Sequence, residues 1–450
     1  MAYLPATHEN RRAMLEKIGA PSVEALFSDV PSAYRFPPLK LPKAVSEMEI
    51  LDELYGLALK NKSTGCFATF LGAGAYNHFV PSAIPALTSR GEFLTAYTPY
   101  QPEVSQGTLQ AIFEYQSMAA ELTGMEVVNA SHYDGATAMA EAALMAINVS
   151  NGKRHKVLVA PSIHPQYRQV LRTYLPGRQA QVIGDEDPSA SLEDLLARLD
   201  GDTACLIVQN PTFFGDLLPV VSLAERVHAA GALLVVVAVP VISLGLLVPP
   251  GRYGADIVVA EGQPLGAGLN FGGPYLGIFA TRDSYVRKMP GRLVGETVDT
   301  EGRRGFVLTL TTREQHIRRE KATSNICTNQ GLVALTAAMY MAYMGKAGLR
   351  AVAELCYHKA HYAAAEISQL AGYRVLNPGN FFNEFVVACP RPVAEINAAL
   401  LEKGILGGYD LEQDYPQARN QMLVCLTEMN SRQQIDRLVA ALKTLAEVKP

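Results

Sequence analysis

The sequence predicts an α/β protein with a large, mostly parallel sheet domain and a smaller C-terminal α/β domain. From about residue 105, helical patterns alternate with short unbroken runs of β-branched and apolar residues. Such runs are typical of strands buried on both faces, and their alternation with helices favours a parallel sheet. A long helical tract over 313–371, interrupted near Gly345 and Gly348, leads to a second and shorter alternation. At 450 residues the chain is also too long for one hydrophobic core.

The elements of the large domain follow from these patterns in chain order. Helices are predicted at 105–123, 136–149, 164–175, 191–199 and 221–230. Strands are predicted at 126–130, 156–160, 180–183, 203–209, 232–239 and 255–260. A further strand at 275–281 follows a glycine-rich loop without a long helix, which indicates a hairpin-like return. The resulting domains are an N-terminal helical segment 1–62, the large domain 63–320, and a connecting helix with the small domain over 321–450.

The ends of the chain and its bulk composition narrow the class of protein. Ser46 and Glu49 form a capping-box pattern ahead of an apolar helix in the N-terminal segment. A net charge of −4 and a pI of about 6.2 do not suggest nucleic acid or an anionic membrane as the main partner. The N-terminus has no apolar signal core, and the most apolar stretch, 230–250, is broken by Pro240. The chain has six cysteines, and no two of them form a CxxC pair. We therefore expect a cytoplasmic protein whose cysteines are reduced.

Three segments carry a resemblance to a known family. They are YTPYQPEVSQGTLQAIFEYQ (97–116), PGRLVGETVDTEGRRGFVLTLTTREQHIRREKATSNICTNQ (290–330) and FFNEF (381–385). Together they resemble the glycine dehydrogenase (decarboxylating), or P-protein, family, in the form of subunit 1, the counterpart of the N-terminal half of double-length P-proteins. The resemblance implies a fold-type I pyridoxal-phosphate transferase-like fold. It covers essentially the whole chain.

The same resemblance shows what this chain lacks. Fold-type I enzymes supply a lysine that binds the cofactor, an aspartate at a strand end, and N–H groups at a helix start for the phosphate. The lysine should follow strand 255–260, yet residues 256–280 contain no lysine. The aspartate should close strand 232–239, which ends without an acid. A degenerate phosphate turn remains at 131–142, with Gly135 and Thr137, and a plain helix start explains that turn equally well.

The resemblance therefore implies a subunit that does not act alone. Pyridoxal phosphate is expected in the partner, glycine dehydrogenase subunit 2, and the two would form an α₂β₂ assembly. This assembly would decarboxylate glycine and transfer the aminomethyl group to the lipoyl H-protein. No metal, nucleic acid or membrane is expected. The alternatives are a self-sufficient enzyme using other residues, and a non-catalytic scaffold or regulatory paralogue.

Several residues are candidates for the part of the partner's pocket that this chain supplies. Pro99 and Pro102 stiffen a loop that could project hydroxyls and a carboxylate across a subunit interface, and the alternative is packing alone. The remaining candidates are His78, as an acid or base or as a structural histidine, and Asn325, which with Thr323 and Ser324 could also cap a helix starting near Cys327. The loop candidates are Tyr97, Thr98, Tyr100, Gln101 and Glu103.

Basic residues between 303 and 321 form a further group. They could clamp a carboxylate or phosphate, or attract an acidic carrier protein. The interpretation favoured for most of them is a solvated helix face that is paired at an interface. The members are Arg303, Arg304, Arg313, Arg318, Arg319 and Lys321.

Overall fold

The computed structural model describes residues 7–322, 324, 326 and 330–447, and it divides the chain into two compact units, residues 1–62 and 63–450. The first unit contains helices α1 (His8–Ile18) and α2 (Glu47–Ala58). The predicted capping box at Ser46 and Glu49 is confirmed, with the Ser46 N–H donating to the Glu49 carboxylate over 2.7 Å. The rest of this unit is not a continuous helix, since only short 3-10 turns occur at Glu24–Phe27 and Ser32–Tyr34.

The second unit carries all the strands of the described chain. Its helices are α3 (Ala83–Thr88), α4 (Gly91–Leu94), α5 (Gln106–Thr123), α6 (Gly135–Val149), α7 (Pro165–Tyr174), α8 (Leu192–Leu196), α9 (Leu223–Ala229), α10 (Gln315–Arg318), α11 (Gly331–Ser368), α12 (Val393–Glu402) and α13 (Arg432–Glu447). Its strands are β1 (Ala68–Thr69), β2 (Val127–Val128), β3 (Lys156–Val159), β4 (Gln181–Ile183), β5 (Thr203–Gln209), β6 (Leu233–Ala238), β7 (Ile257–Glu261), β8 (Gly277–Thr281), β9 (Leu293–Val298), β10 (Arg304–Thr309), β11 (Arg374–Val375), β12 (Glu384–Ala388), β13 (Ile405–Leu406), β14 (Tyr409–Asp410) and β15 (Gln421–Cys425).

Seven strands form the large sheet in the order β2-β8-β7-β6-β5-β3-β4. The pairs from β7 through β6, β5 and β3 to β4 are parallel, as the alternation with helices predicts. Strand β8 returns antiparallel beside β7, which confirms the hairpin-like return. Every residue of β5, β6 and β7 is buried, because helices cover both faces of the sheet.

The alanine-rich helix α6 lies against the middle of this sheet. Twelve of its residues are buried, from Gly135 to Ile147. Their small side chains let the helix axis approach the strands closely. The helix begins at the carboxyl end of the parallel strands, which is where ligands bind in open α/β sheets.

A smaller antiparallel sheet, β11-β12-β15-β14, has its own core with α12 and α13. Helix α11 joins the two cores: Ala337 and Cys356 pack in the large one, whereas Ala363 and Ile367 pack in the small one. Of the helices the structure describes, α11 alone is long and apolar enough to cross a membrane by length and composition. Its backbone breaks at Gly345, near the predicted interruption.

In the middle of the chain, one prediction is wrong and one element was not predicted. The helical tract does not start at 313, because α11 begins at Gly331 after the short turn of α10. Residues 293–309, to which the sequence assigned no element, form the antiparallel hairpin β9–β10. The domain boundary predicted near residue 320 stays a prediction.

Candidate functional site

The first candidate site is the start of α6, where this fold would cradle a phosphate. The Asp134 carboxylate accepts the Thr137 N–H over 2.7 Å, and the Thr137 hydroxyl bonds back to Asp134. The two residues thus form a capping box that satisfies the helix start internally. Thr137 is engaged in this cap, so the alternative interpretation of the turn as a plain helix start accounts for its hydroxyl.

The Glu261 carboxylate, at the end of β7, lies at the same helix start. One oxygen accepts the Gly135 N–H over 3.0 Å. The other accepts the N–H groups of Gln263 and Leu276, each over 3.0 Å. The side chain is only 3% exposed. A carboxylate of the chain itself therefore takes the N–H donors that a ligand anion would need here.

Burial shapes the charges around Glu261. It raises the pKa of Glu261 to about 7, although the three N–H donors oppose the rise. Burial likewise lowers the pKa of His132 to about 3, so this histidine is neutral where it stacks on Phe279, with ring centroids 5.3 Å apart. Tyr167, also buried, has its pKa raised well above its usual value by burial and by Glu261. The helix start is thus surrounded by buried side chains, and none of these three carries a positive charge.

Other residues stand at the two positions where the cofactor residues were expected. Strand β7 runs into Glu261 and a loop without lysine up to β8. Strand β6 ends at Ala238, and Val239 and Pro240 follow it. The residues at these positions do not fit pyridoxal phosphate, because residues 256–280 offer no lysine to bind it and β6 does not end in an acid for its ring nitrogen.

The glycine-rich segment 72–78 closes over this region from the small sheet's side. The Glu384 carboxylate accepts the Ala73 N–H over 2.7 Å and the Tyr76 hydroxyl over 2.8 Å. The backbone of Tyr76 also exchanges hydrogen bonds with the Gln263 side chain, two residues after Glu261. Burial raises the pKa of Glu384 to about 7. The FFNEF motif therefore anchors this segment through its glutamate.

His78 lies in a buried contact rather than at an open surface. Its Nδ1 is 2.7 Å from the Glu428 carboxylate, whose other oxygen accepts the Phe79 N–H. The Cys356 thiol reaches the same carboxylate, so His78, Cys356 and Glu428 bring ligand-type atoms within 4.8 Å of one another. The Lys359 amine donates to the Glu428 carbonyl oxygen over 2.5 Å. Mutual hydrogen bonds and this nearby cation account for the cluster without a metal.

The second candidate site is a cavity of about 260 Å³ beneath the stiff loop. Its lining includes Tyr97, Thr98 and Pro99 of the loop, together with Ser131 and Arg313. The Arg313 guanidinium donates to the backbone carbonyls of 289, 291 and 310, which explains why it does not join a basic patch. Burial lowers the pKa of Arg313.

The loop residues differ in their exposure. The Tyr100 hydroxyl accepts a hydrogen bond from Arg292 over 2.9 Å, and the guanidinium lies 5.4 Å from the centre of the tyrosine ring. Tyr97 is 75% exposed, and Gln101 and Glu103 are exposed as well. The loop thus presents polar groups outward from a fixed base.

Helix α5 fixes that base. The Gln106 amide donates to the carbonyls of Pro102 and Phe306, and its oxygen accepts the Phe306 N–H. Gln116, three turns further along, makes the same two-way contact with Val294. The two glutamines tie the hairpin β9–β10 to α5. The hairpin and these glutamines are parts of the site that sequence reasoning missed.

The remaining predicted residues have mixed outcomes. Asn325, Thr323 and Cys327 lie outside the described residues. Ser324 donates to Glu141 over 2.8 Å, and α11 starts seven residues later after Gln330, so Ser324 does not cap it. Burial raises the pKa of Glu141 to about 7, with the Ser324 bond opposing.

The basic group also departs from its prediction in part. Arg303 pairs with Asp299 over 2.8 Å, and Arg304 pairs with Glu296 over 2.8 Å. Each of these two arginines therefore pairs with an acid of this chain. They lie on the hairpin, however, so the prediction of a helix face is wrong for them.

Comparison with known proteins decides the family. The sequence profile of the family described as glycine cleavage system P-protein matches residues 1–442. The chain belongs to this P-protein family. It is 56% identical to a protein of Thermomicrobium roseum named probable glycine dehydrogenase (decarboxylating) subunit 1, with 98% of this chain and 99% of that protein covered. A Bacillus cytotoxicus protein of the same name is 51% identical, with 97% and 98% covered.

Solved structures agree on the fold. A crystal structure of glycine decarboxylase (P-protein) of the glycine cleavage system, in inhibitor-bound form, superposes with a TM-score of 0.91 at 46% identity, covering 99% of this chain and 100% of that one. A sphingosine-1-phosphate lyase of Burkholderia pseudomallei has a TM-score of 0.66 at 14% identity, covering 93% and 94%, and therefore supports the fold alone. The P-protein fold of this chain is fold-type I, which confirms the predicted fold class.

Proposed function

We propose that this chain is one of two subunits of a glycine decarboxylase and is inactive without subunit 2. The partner holds pyridoxal phosphate, which delocalises the negative charge left when carbon dioxide departs from glycine. The aminomethyl group then passes to the lipoyl arm of the H-protein. One observation carries the proposal: this P-protein chain keeps the family fold throughout, while the strand that should lead to a cofactor lysine ends in Glu261.

This chain's contribution is a wall of the partner's pocket. The loop residues Tyr97, Thr98, Tyr100, Gln101 and Glu103 supply hydroxyl, amide and carboxylate groups that orient glycine or exclude water. The bond from Arg292 to Tyr100 and the clamp by Gln106 support this role, because they hold the loop in one geometry before the partner arrives.

Two further residues complete the proposed wall. His78 acts through position, since its contact with Glu428 fixes the segment 77–79 from within. Asn325 belongs to the REQHIRREKATSNICT motif, whose described residue Ser324 lines the cavity.

The apolar side chains of the N-terminal unit are evidence for a permanent partner. Taken by itself, this unit buries none of residues 7–62, although the segment is rich in large apolar side chains. Tyr34, Leu39, Leu41, Met48 and Leu59 are each more than two-thirds exposed. Exposed apolar surface of this kind marks protein–protein contacts. We place these side chains against subunit 2 in an α₂β₂ enzyme of the cytoplasm.

The exchange of labelled bicarbonate into the carboxyl group of glycine, with H-protein present, tests the proposal. The assay compares this chain alone, subunit 2 alone and their mixture. Activity is expected in the mixture only. Full activity from subunit 2 alone would reduce this chain to a scaffold. Activity from this chain alone would mean that the argument from the missing lysine is wrong.

A further inference from the structure

A carboxylate of the chain itself lies at the start of α6. Three N–H groups from separate segments converge there: Gly135 opens the helix, Gln263 follows β7, and Leu276 precedes β8. All three donate to the Glu261 carboxylate. The acceptor thus comes from the chain itself and lies 126 residues from Gly135 in sequence.

We propose that Glu261 is a built-in anion that fills the phosphate position of this fold, so that the chain excludes pyridoxal phosphate and inorganic phosphate. The inference rests on the proposed function insofar as it explains how the cofactor is confined to the partner subunit. It assigns to Glu261 a role that the missing lysine alone does not require, because a chain without the lysine could still bind a phosphate group.

The geometry argues for exclusion rather than for an empty cradle. Glu261 is 3% exposed and uses both oxygens, so a second anion would have to displace it and leave it buried without partners. Space is also lacking, since a Cβ at Gly135 would overlap the Tyr167 hydroxyl and lie 3.2 Å from the Glu261 Cβ. Asp134 adds a second negative group at the same helix start.

The test compares anion binding by the full-length wild-type chain and by Glu261→Ala. The substitution removes the carboxylate, which leaves its three N–H donors without an acceptor and leaves room for another anion. Binding of inorganic phosphate and of pyridoxal phosphate is measured by calorimetry and by the rise in Tm, at about pH 8. Glu141→Ala is the matched control, because Glu141 is an equally buried carboxyl on the same helix but away from its start.

We expect Glu261→Ala to bind inorganic phosphate at least tenfold more tightly than the wild type or Glu141→Ala, and its Tm to rise with phosphate concentration. Pyridoxal phosphate should bind this variant through the same donors, without the spectral change of a lysine adduct. Equal phosphate binding by all three proteins would overturn the proposal, as would tight binding of either ligand to the wild type.

A second variant covers the case in which Glu261→Ala does not fold. Glu261→Gln keeps the shape but presents an amide N–H to a backbone donor. Its Tm should fall further than that of Glu141→Gln, and an equal or smaller fall would contradict the proposed role of Glu261 as a built-in anion. These measurements need no partner and no H-protein. A mixture inactive in bicarbonate exchange would overturn the proposed function alone, whereas a failure here would leave that function standing.

Discussion

Glu384 should make the stability of the chain fall as the pH rises. Its carboxyl is 3% exposed, and it holds the Ala73 N–H and the Tyr76 hydroxyl. Burial raises its pKa from 4.5 to about 7. The folded chain therefore binds this proton more tightly than the unfolded chain does. The resulting stabilisation is complete below pH 4.5 and is lost as the pH rises through 7.

The size of the effect follows from the two pKa values. Between about pH 5.5 and pH 8, proton linkage at Glu384 removes about 2 kcal/mol from the free energy of unfolding. Glu384→Gln keeps the shape and cannot ionise. The difference in unfolding free energy between the two pH values should therefore be about 2 kcal/mol smaller in this variant than in the wild type.

Urea unfolding of the full-length chain at both pH values measures this difference. Glu53→Gln, at an exposed position of α2, is the matched control for the loss of one carboxyl group. Glu428 provides a contrast of opposite sign: burial opposes its ionisation, yet the hydrogen bond and charge of His78 lower its pKa. Its contribution is lost as the pH falls. Parallel pH profiles for the wild type and Glu384→Gln would refute the reasoning.

The remaining predictions concern the segments around the two sites. Gly72→Ala should lower the free energy of unfolding in urea by about 1–3 kcal/mol, because the added Cβ would lie 2.6 Å from the Cys425 side chain. Gly107→Ala is the control: its added Cβ would meet nothing within 4 Å and should not destabilise the chain. Gln106→Ala should cost about 2 kcal/mol through three lost hydrogen bonds, and Gln110→Ala, which bonds only along its helix, under about 0.5 kcal/mol. Tyr100→Phe removes the hydrogen bond from Arg292 and should lower bicarbonate exchange by the two-subunit mixture about tenfold, without a change in Tm. Unchanged exchange would mean that Tyr100 is not part of the proposed pocket wall.

The large sheet could be predicted closely because burial dominates its sequence. Strand β5 matches its predicted bounds, 203–209, since all seven residues are buried and apolar or β-branched except for the terminal glutamine. The hairpin β9–β10 could not be found in this way. Its strands expose much of their length, so Glu296 and Arg304 read as loop or helix surface, and their pairing is a contact between segments.

The residues before α11 show the same limit of sequence analysis, here for a predicted helix that the structure does not contain. The charged run 313–321 has a high helix propensity, which favours a helix in isolation. The structure breaks this run at Arg319, whose φ is +53°. Arg313, at the start of the run, turns inward and donates to backbone carbonyls. Such tertiary contacts compete with local helix propensity and cannot be read from the run itself.

The candidate site could be predicted from the sequence only in part. The sequence could show that no lysine follows β7, but it could not show what stands where the phosphate would bind. Glu261 appears in the sequence as one acid at a strand end, and its three N–H donors come from residues 135, 263 and 276. Only the folded chain brings them together. Because these donors hold a carboxylate of the chain itself, restoring a lysine after β7 would not suffice to make this subunit bind the cofactor; Glu261 would also have to be removed.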